Sequence, residues 1–326
     1  MKTPLLPTPD ELSLPELMKR FDTEERALEY FEAIRWPDGP VCPHCSNAEQ
    51  GTHWKISAAK RGTVRAGLWQ CGACKKQFRV TVGTIFEGSH IGLHLWLVAW
   101  FIMSGAKKGV SALQMQRHLG LGSYRSAWFL CHRIRHAMQD PAFTNLLDGT
   151  VEVDETYVGG KPRPYVDESG KVRSKISPKT AVVSLVQRNG SKRSFVMEHV
   201  TARNLREAIF QNVADDSNVH TDEAMPYRGL SKTIYKHRMV NHSKGEYCRQ
   251  EADGTVTTTN HAESSFSLLK RSIVGSFHHV SKKHLHRYVG ETDFKWDHRK
   301  TTDGARTVEG LKKCAGKRLT YKPLTK

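Results

Sequence analysis

A chain of 326 residues, 38% hydrophobic and 9% aromatic, is long enough to bury more than one core and too apolar for disorder throughout. Its 50 Lys and Arg against 33 Asp and Glu leave a formal charge of +17, which favours a polyanion as partner. The longest apolar candidate, Leu93 to Met103, falls short of the roughly 18 residues a bilayer span requires, and no basic amphipathic helix or lipidation signal favours a membrane surface. Met1-Lys2-Thr3-Pro4 leads into an acidic stretch rather than the apolar centre of a signal peptide, so a cytoplasmic protein with no membrane partner is expected.

From Asp10 to Ala33 apolar residues recur at helical spacing, with a helix start at Ser13-Leu14-Pro15-Glu16. The turn cluster Trp36-Pro37-Asp38-Gly39-Pro40 closes this N-terminal helical segment, residues 1–36. Residues 37–88 follow, with short β-like runs and two Cys-x-x-Cys knuckles, Cys42-Pro43-His44-Cys45 and Cys71-Gly72-Ala73-Cys74. Zn²⁺ favours four tetrahedral thiolates, and a two-residue gap lets one tight turn present two sulfurs to the same ion. A structural zinc ribbon is therefore expected, ahead of redox pairs or disulfides, with His44 as a substitute ligand. Lys55, Lys60, Arg61, Arg65, Lys75, Lys76 and Arg79 make the ribbon basic and suit it to phosphate contact.

Residues 89–140 read as helical: Leu93 to Met103, then Ser111 to Leu119 and Tyr124 to Met138 joined through Gly120-Leu121-Gly122. A short helix, a Gly-containing turn and a longer helix bearing Arg125, Arg133 and Arg135 outline a helix-turn-helix, although a plain packing module fits the same pattern.

Residues 148–298 change texture. Val151-Glu152-Val153-Asp154 alternates as a strand, Ala181 to Gln187 is a buried-strand run, and Arg193 to His199 pairs with it after Asn189-Gly190. Leu205 to Val213, Asn260 to Ile273 and Ser281 to Trp296 are helical, and Asn218 to Thr221 is a short strand. This mixture indicates an α/β or α+β catalytic domain. Asp154 ends one strand, Asp222 follows another, and Glu263 opens a helix. These are placements that carboxylate ligands to a pair of Mg²⁺ or Mn²⁺ ions would need for phosphoryl transfer. On that helix Asn260, Glu263, Ser267 and Lys270 share a polar face beside an apolar stripe of Ala262, Phe266, Leu269 and Ile273. Strand alternation places Glu152 with Asp154, as a further acidic candidate, and sends Glu155 to the opposite face. The basic, weakly apolar residues 299–326 are expected to form a mobile extension.

Taken together these segments resemble the transposases of the insertion-sequence 1595 family, also called ISXO-type. The resemblance runs through Arg35-Trp36-Pro37-Asp38-Gly39, both knuckles, and Gly83-Thr84-Ile85-Phe86. It continues in Val153-Asp154-Glu155-Thr156-Tyr157-Val158-Gly159-Gly160-Lys161, His220-Thr221-Asp222-Glu223, Glu263-Ser264, Leu268-Leu269-Lys270-Arg271 and Ser281 through Tyr288. It implies an RNase H-like fold for the second half, with Asp154, Asp222 and Glu263 as catalytic metal ligands and Lys270 as the trailing basic residue. Some members carry Asn at the third position, which makes Asn260 the alternative ligand. The implied reaction is cleavage at the ends of a mobile element and strand transfer into target DNA by a dimer or larger assembly in the cytoplasm. DNA contacts are expected from Lys75, Lys76, Arg79, Arg125, Arg133, Lys270 and Arg271. A non-catalytic zinc-ribbon regulator and a structure-specific nuclease are the competing readings.

Overall fold

A computed structural model describes residues 12–56, 66–139, 145–160, 163–175, 179–230 and 235–325. Asp10, Lys60, Arg61, Arg65 and Lys161 lie outside the described residues. The chain divides into two compact units, residues 1–138 with 300–326, and residues 139–299.

The first unit opens with two helices where the periodicity suggested one, α1 (Leu14–Arg20) and α2 (Glu24–Arg35). The Ser13 hydroxyl accepts from the Glu16 N–H, and the Thr23 hydroxyl accepts from the Arg26 N–H. Thr23 is thus a fresh N-cap, and the chain restarts its helix there instead of running on. Strands β1 (His53–Lys55), β2 (Trp69–Cys71) and β3 (Gln77–Phe78) form a three-stranded antiparallel sheet in that order. Helices α3 (Leu93–Gly105), α4 (Ala112–His118, capped by Ser111) and α5 (Tyr124–Met138) follow. The helix α3 places Trp96, Leu97, Trp100 and Met103 at no more than 1% exposure, so it is buried on most sides.

The second unit is built on β4 (Thr150–Val158). A hairpin of β5 (Arg163–Val166) and β6 (Val172–Lys175) leaves the main sheet, and the chain returns as β7 (Thr180–Gln187) and β8 (Lys192–Met197). Helix α6 (Ala202–Asn212) then crosses to β9 (Asn218–Thr221), which is followed by β10 (Lys236–Met239), the small pair β11 (Cys248–Gln250) and β12 (Val256–Thr258), and helices α7 (Asn260–Ser272) and α8 (Lys282–Asp297). The five-stranded sheet has the order β10-β9-β4-β7-β8. Its β4-β7-β8 half is antiparallel, whereas β9 runs parallel to β4 and β10 parallel to β9. An antiparallel meander followed by parallel strands reached through a helix is the RNase H-like arrangement. Both faces are covered: Val151, Val153, Val183 and Leu185 pack with Leu205 and Ile209 of α6, and Val182 packs with Phe266, Leu269, Leu285 and Val289 of α7 and α8.

After α8 the chain returns to the first unit as α9 (Asp303–Lys312) and α10 (Lys322–Thr325), which corrects the expectation of a mobile tail. Val308, Leu311 and Cys314 are buried, the Ser104 and Thr307 hydroxyls bond at 2.8 Å, and the Arg306 guanidinium donates to the Ser104 carbonyl at 3.1 Å. Gly310 lies so close to Trp100 that an added Cβ would meet the indole at 2.3 Å. Among the described residues no helix is long and apolar enough to cross a membrane.

Candidate functional site

The two Cys-x-x-Cys knuckles fold alike. The Ser46 N–H donates to the Cys42 carbonyl and the Lys75 N–H to the Cys71 carbonyl, while Cys42 and Cys71 donate their own N–H groups to Asn47 and Lys76. Ser46 and Lys75 both take positive φ, 59° and 57°, which turns each chain sharply after its second cysteine. The sulfurs of Cys42 and Cys74 stand 3.7 Å apart, and those of Cys45 and Cys71 stand 3.6 Å apart. All four fall within 4.8 Å of one another. A tetrahedral zinc with bonds of about 2.3 Å to sulfur needs an edge of about 3.8 Å, so the four thiolates fit that ion. His44 is not needed as a ligand: its Nε2 lies 3.2 Å from the Gln77 carbonyl oxygen.

Around this centre Lys75 and Lys76 are exposed and Arg79 is half-buried. Lys55 is engaged elsewhere, 3.2 Å from the Glu32 carboxylate and over the Trp69 ring. On α5 the exposed basic residue is Arg125, in the first turn. Arg133 and Arg135, read from sequence as part of a DNA-facing set, are 3% and 2% exposed. Arg133 donates to the Glu87 carbonyl and lies over the rings of Trp96 and Phe129, and Arg135 lies 3.5 Å from the Val110 carbonyl. A guanidinium sunk among aromatic rings tethers the helix and does not face a phosphate, so Arg133 is withdrawn from the contact set.

In the second unit Asp154 is half-buried in β4, and its carboxylate accepts from the Glu155 N–H at 2.7 Å. Burial, followed by the charges of Glu155, Asp222 and Glu263, pushes the Asp154 carboxyl up to about 7. Glu152 of β4 is the register partner of His220 of β9, which sets Asp154 and Asp222 on neighbouring strands, and the His261 N–H donates to Glu152 at 2.7 Å, which brings the first turn of α7 to the same strand. The three acids are more widely spaced than the sulfurs: among the described residues the thiol group is the cluster closed to 4.8 Å. Asp222 is held by the Ala224 N–H, which donates to it at 3.0 Å. Glu263 is exposed on the first turn of α7, with the Nε2 of His242 at 3.6 Å. Asn260, the alternative third ligand, is exposed at the start of the same helix and carries no charge. Lys270 and Arg271 are exposed near its end, where Arg271 donates to the Ser267 hydroxyl at 2.7 Å.

Two neighbours behave as the strand alternation requires. Glu155 faces the other side of the sheet and accepts the Tyr227 hydroxyl hydrogen, and Glu152 is fully buried and saturated with donors. His242 was not foreseen. Glu223 accepts from the His242 N–H, the Ser243 N–H and the Ser243 hydroxyl, which fixes the loop that carries His242 to Glu263. Those bonds, the Ser243 hydroxyl first, bring the Glu223 carboxyl down to about 2. No periodicity marks a histidine in a short 3₁₀ turn, so its sequence neighbours gave no signal.

Comparison with known proteins agrees with this architecture. Residues 146–297 match the ISXO2-like transposase domain, and residues 22–77 match the transposase zinc-ribbon domain. A protein of Halobacterium salinarum described as an uncharacterized protein in transposable element ISH50 is 27% identical over 284 residues, covering 83% of this chain and 90% of that protein. The chain belongs to the insertion-sequence 1595 family of transposases.

Proposed function

We propose that the chain catalyses divalent-metal-dependent cleavage of DNA at the ends of its element and transfer of the freed strand into target DNA, with Asp154, Asp222 and Glu263 as the metal-holding groups. The observation that carries this reading is the placement of Asp154 on β4 and of Asp222 just beyond the adjacent parallel strand β9, with Glu263 on the first turn of a helix whose His261 N–H donates to Glu152 of β4. Burial, with the neighbouring acids, raises the cost of ionising Asp154, a cost that a bound cation would offset. Hard divalent cations suit the site because they take oxygen ligands and keep several waters, so ligand oxygens need not all touch one ion.

Bound Mg²⁺ or Mn²⁺, as a pair, would supply Lewis acidity and clamp the attacking and departing oxygens of an in-line displacement. In the first step water adds to phosphorus and the P–O3′ bond breaks, leaving a 3′-hydroxyl on the element. In the second that hydroxyl attacks a target phosphorus and the target's P–O3′ bond breaks. The residues of the chain position these groups: Asp154 and Asp222 from adjacent parallel strands, and Glu263 from a helix seated on the same sheet. Glu263 is favoured over Asn260 because its charge reaches Asp154. Lys270 lies two helical turns beyond Glu263, about 10 Å along the axis, where it would hold a DNA phosphate. Lys75, Lys76, Arg79, Arg125 and Arg271 are the further phosphate contacts of this reading. The zinc is structural, since four thiolates complete its tetrahedron and leave no place for water. Synapsis of two element ends calls for a dimer or larger assembly.

A labelled end-sequence duplex with target plasmid and Mg²⁺ tests the reading. Joined product is the expected outcome. Cleavage without joining would favour a nuclease, and binding alone a regulator.

A further inference from the structure

A buried polar network lies directly beneath the three carboxylates. Glu152 stands two residues before Asp154 on β4, with its side chain fully buried. Its Oε1 accepts from the Arg188 Nε and the His261 Nδ1, both at 2.9 Å. Its Oε2 accepts from the backbone N–H groups of His261 at 2.7 Å and Ala262 at 3.3 Å. Those two amides belong to the first turn of α7, immediately before Glu263. The α7 N-cap residue, Thr259, makes no side-chain capping bond of its own. The helix end is therefore capped from the neighbouring strand, and a carboxylate there also complements the helix dipole.

The same network reaches the third element. Glu152 is the register partner of His220 across the parallel pair β4 and β9, and His220 stands two residues before Asp222. The Arg188 Nη2 lies 3.3 Å from the His220 Nδ1 while its Nε serves Glu152. One buried carboxylate and one guanidinium thus join β4, β9 and α7 at the residues just preceding Asp154, Asp222 and Glu263. A buried charge kept in place by four donors holds its geometry tightly, because losing any donor leaves it under-solvated.

We infer that Glu152, acting through His261 and Arg188, is a positioning residue that sets Glu263 against Asp154 and Asp222 and so fixes the spacing at which divalent cations bind. This rests on the reading that those three carboxylates hold the cations. Residues that orient metal ligands influence metal affinity without touching the ion, typically by 10–100-fold.

The test is a Mn²⁺ titration of the zinc-loaded full chain, followed by electron paramagnetic resonance, for the unsubstituted protein and for E152Q, H261A and D154A. Circular dichroism and zinc content report whether each variant is folded. E152Q is expected to weaken Mn²⁺ binding by roughly 10-fold or more, and H261A by less. Excess Mn²⁺ should restore much of the E152Q cleavage rate, a rescue that a merely loosened core would not give. E152Q and H261A binding Mn²⁺ like the parent, while D154A does not, would overturn the positioning role and leave the catalytic reading intact. D154A binding like the parent would instead remove the catalytic reading. If E152Q does not fold, H261A decides, since its side chain is half exposed and its loss leaves the carboxylate three donors.

Discussion

Asp154 carries the sharpest consequences of the site. Replacing it with Ala should abolish strand cleavage, by at least about 1000-fold if carboxylate-held cations supply several kcal/mol of transition-state stabilisation. Duplex affinity, measured by gel shift, should change by less than about threefold, and retained cleavage would remove Asp154 from the chemistry. Its titration gives a second check. Burial and the neighbouring acids raise its folded value from 3.8 to about 7, so the folded chain holds this proton more tightly than the unfolded one. The contribution therefore favours folding at low pH and turns into a cost as pH climbs through that window. D154N should gain melting temperature over the parent progressively between those pH values, without added divalent cation; a pH-independent difference would contradict the burial. The placement of Asp154 on a strand and of Glu263 in the first turn of a helix was legible from local pattern, whereas burial of single residues was not. Arg133 and Arg125 share one helix and one charge, yet Arg133 is enclosed by Trp96 and Phe129 while Arg125 is exposed.

Elements with a strong period were readable, and those without were not. The helix α7 places Ala262, Phe266 and Leu269 inside and Asn260, Glu263 and Lys270 outside, as its 3.6-residue spacing dictates. By contrast β10, β11 and β12 are three or four residues each and largely polar, so no alternation accumulates. Around α9 the basic residues of the tail concealed the buried Val308 and Leu311, and Cys314 just beyond the helix, that seat it. Gly310→Ala should strain that contact, because its Cβ would press on Trp100; overpacking of this kind costs about 1–3 kcal/mol. Denaturant melts would show it, and an unchanged midpoint would mean that α9 does not seat on α3. The ribbon depends on its sulfurs in the same way. Changing Cys42 and Cys45 together to Ser should release about one zinc per chain and unfold the segment, read by metal analysis and amide exchange. Purified parent without zinc would defeat the ribbon.

For the whole molecule, a charge of +17 makes DNA affinity a matter of counterion release. Binding should fall by roughly 10³-fold or more between 50 and 200 mM salt if six or more phosphates are neutralised. A flat response would contradict a phosphate-dominated interface. The RNase H-like order of strands carries β4 and β9 side by side and seats α7 against β4 and β7, and on the proposed reading this draws together acids far apart in the chain. That convergence is tested most directly by loading the zinc-bound protein with Fe²⁺ and generating hydroxyl radicals with ascorbate and peroxide. Backbone cuts should cluster around residues 154, 222 and 263 together and be suppressed by excess Mg²⁺. Cuts near only one of the three, or scattered cuts indifferent to Mg²⁺, would contradict a shared metal site.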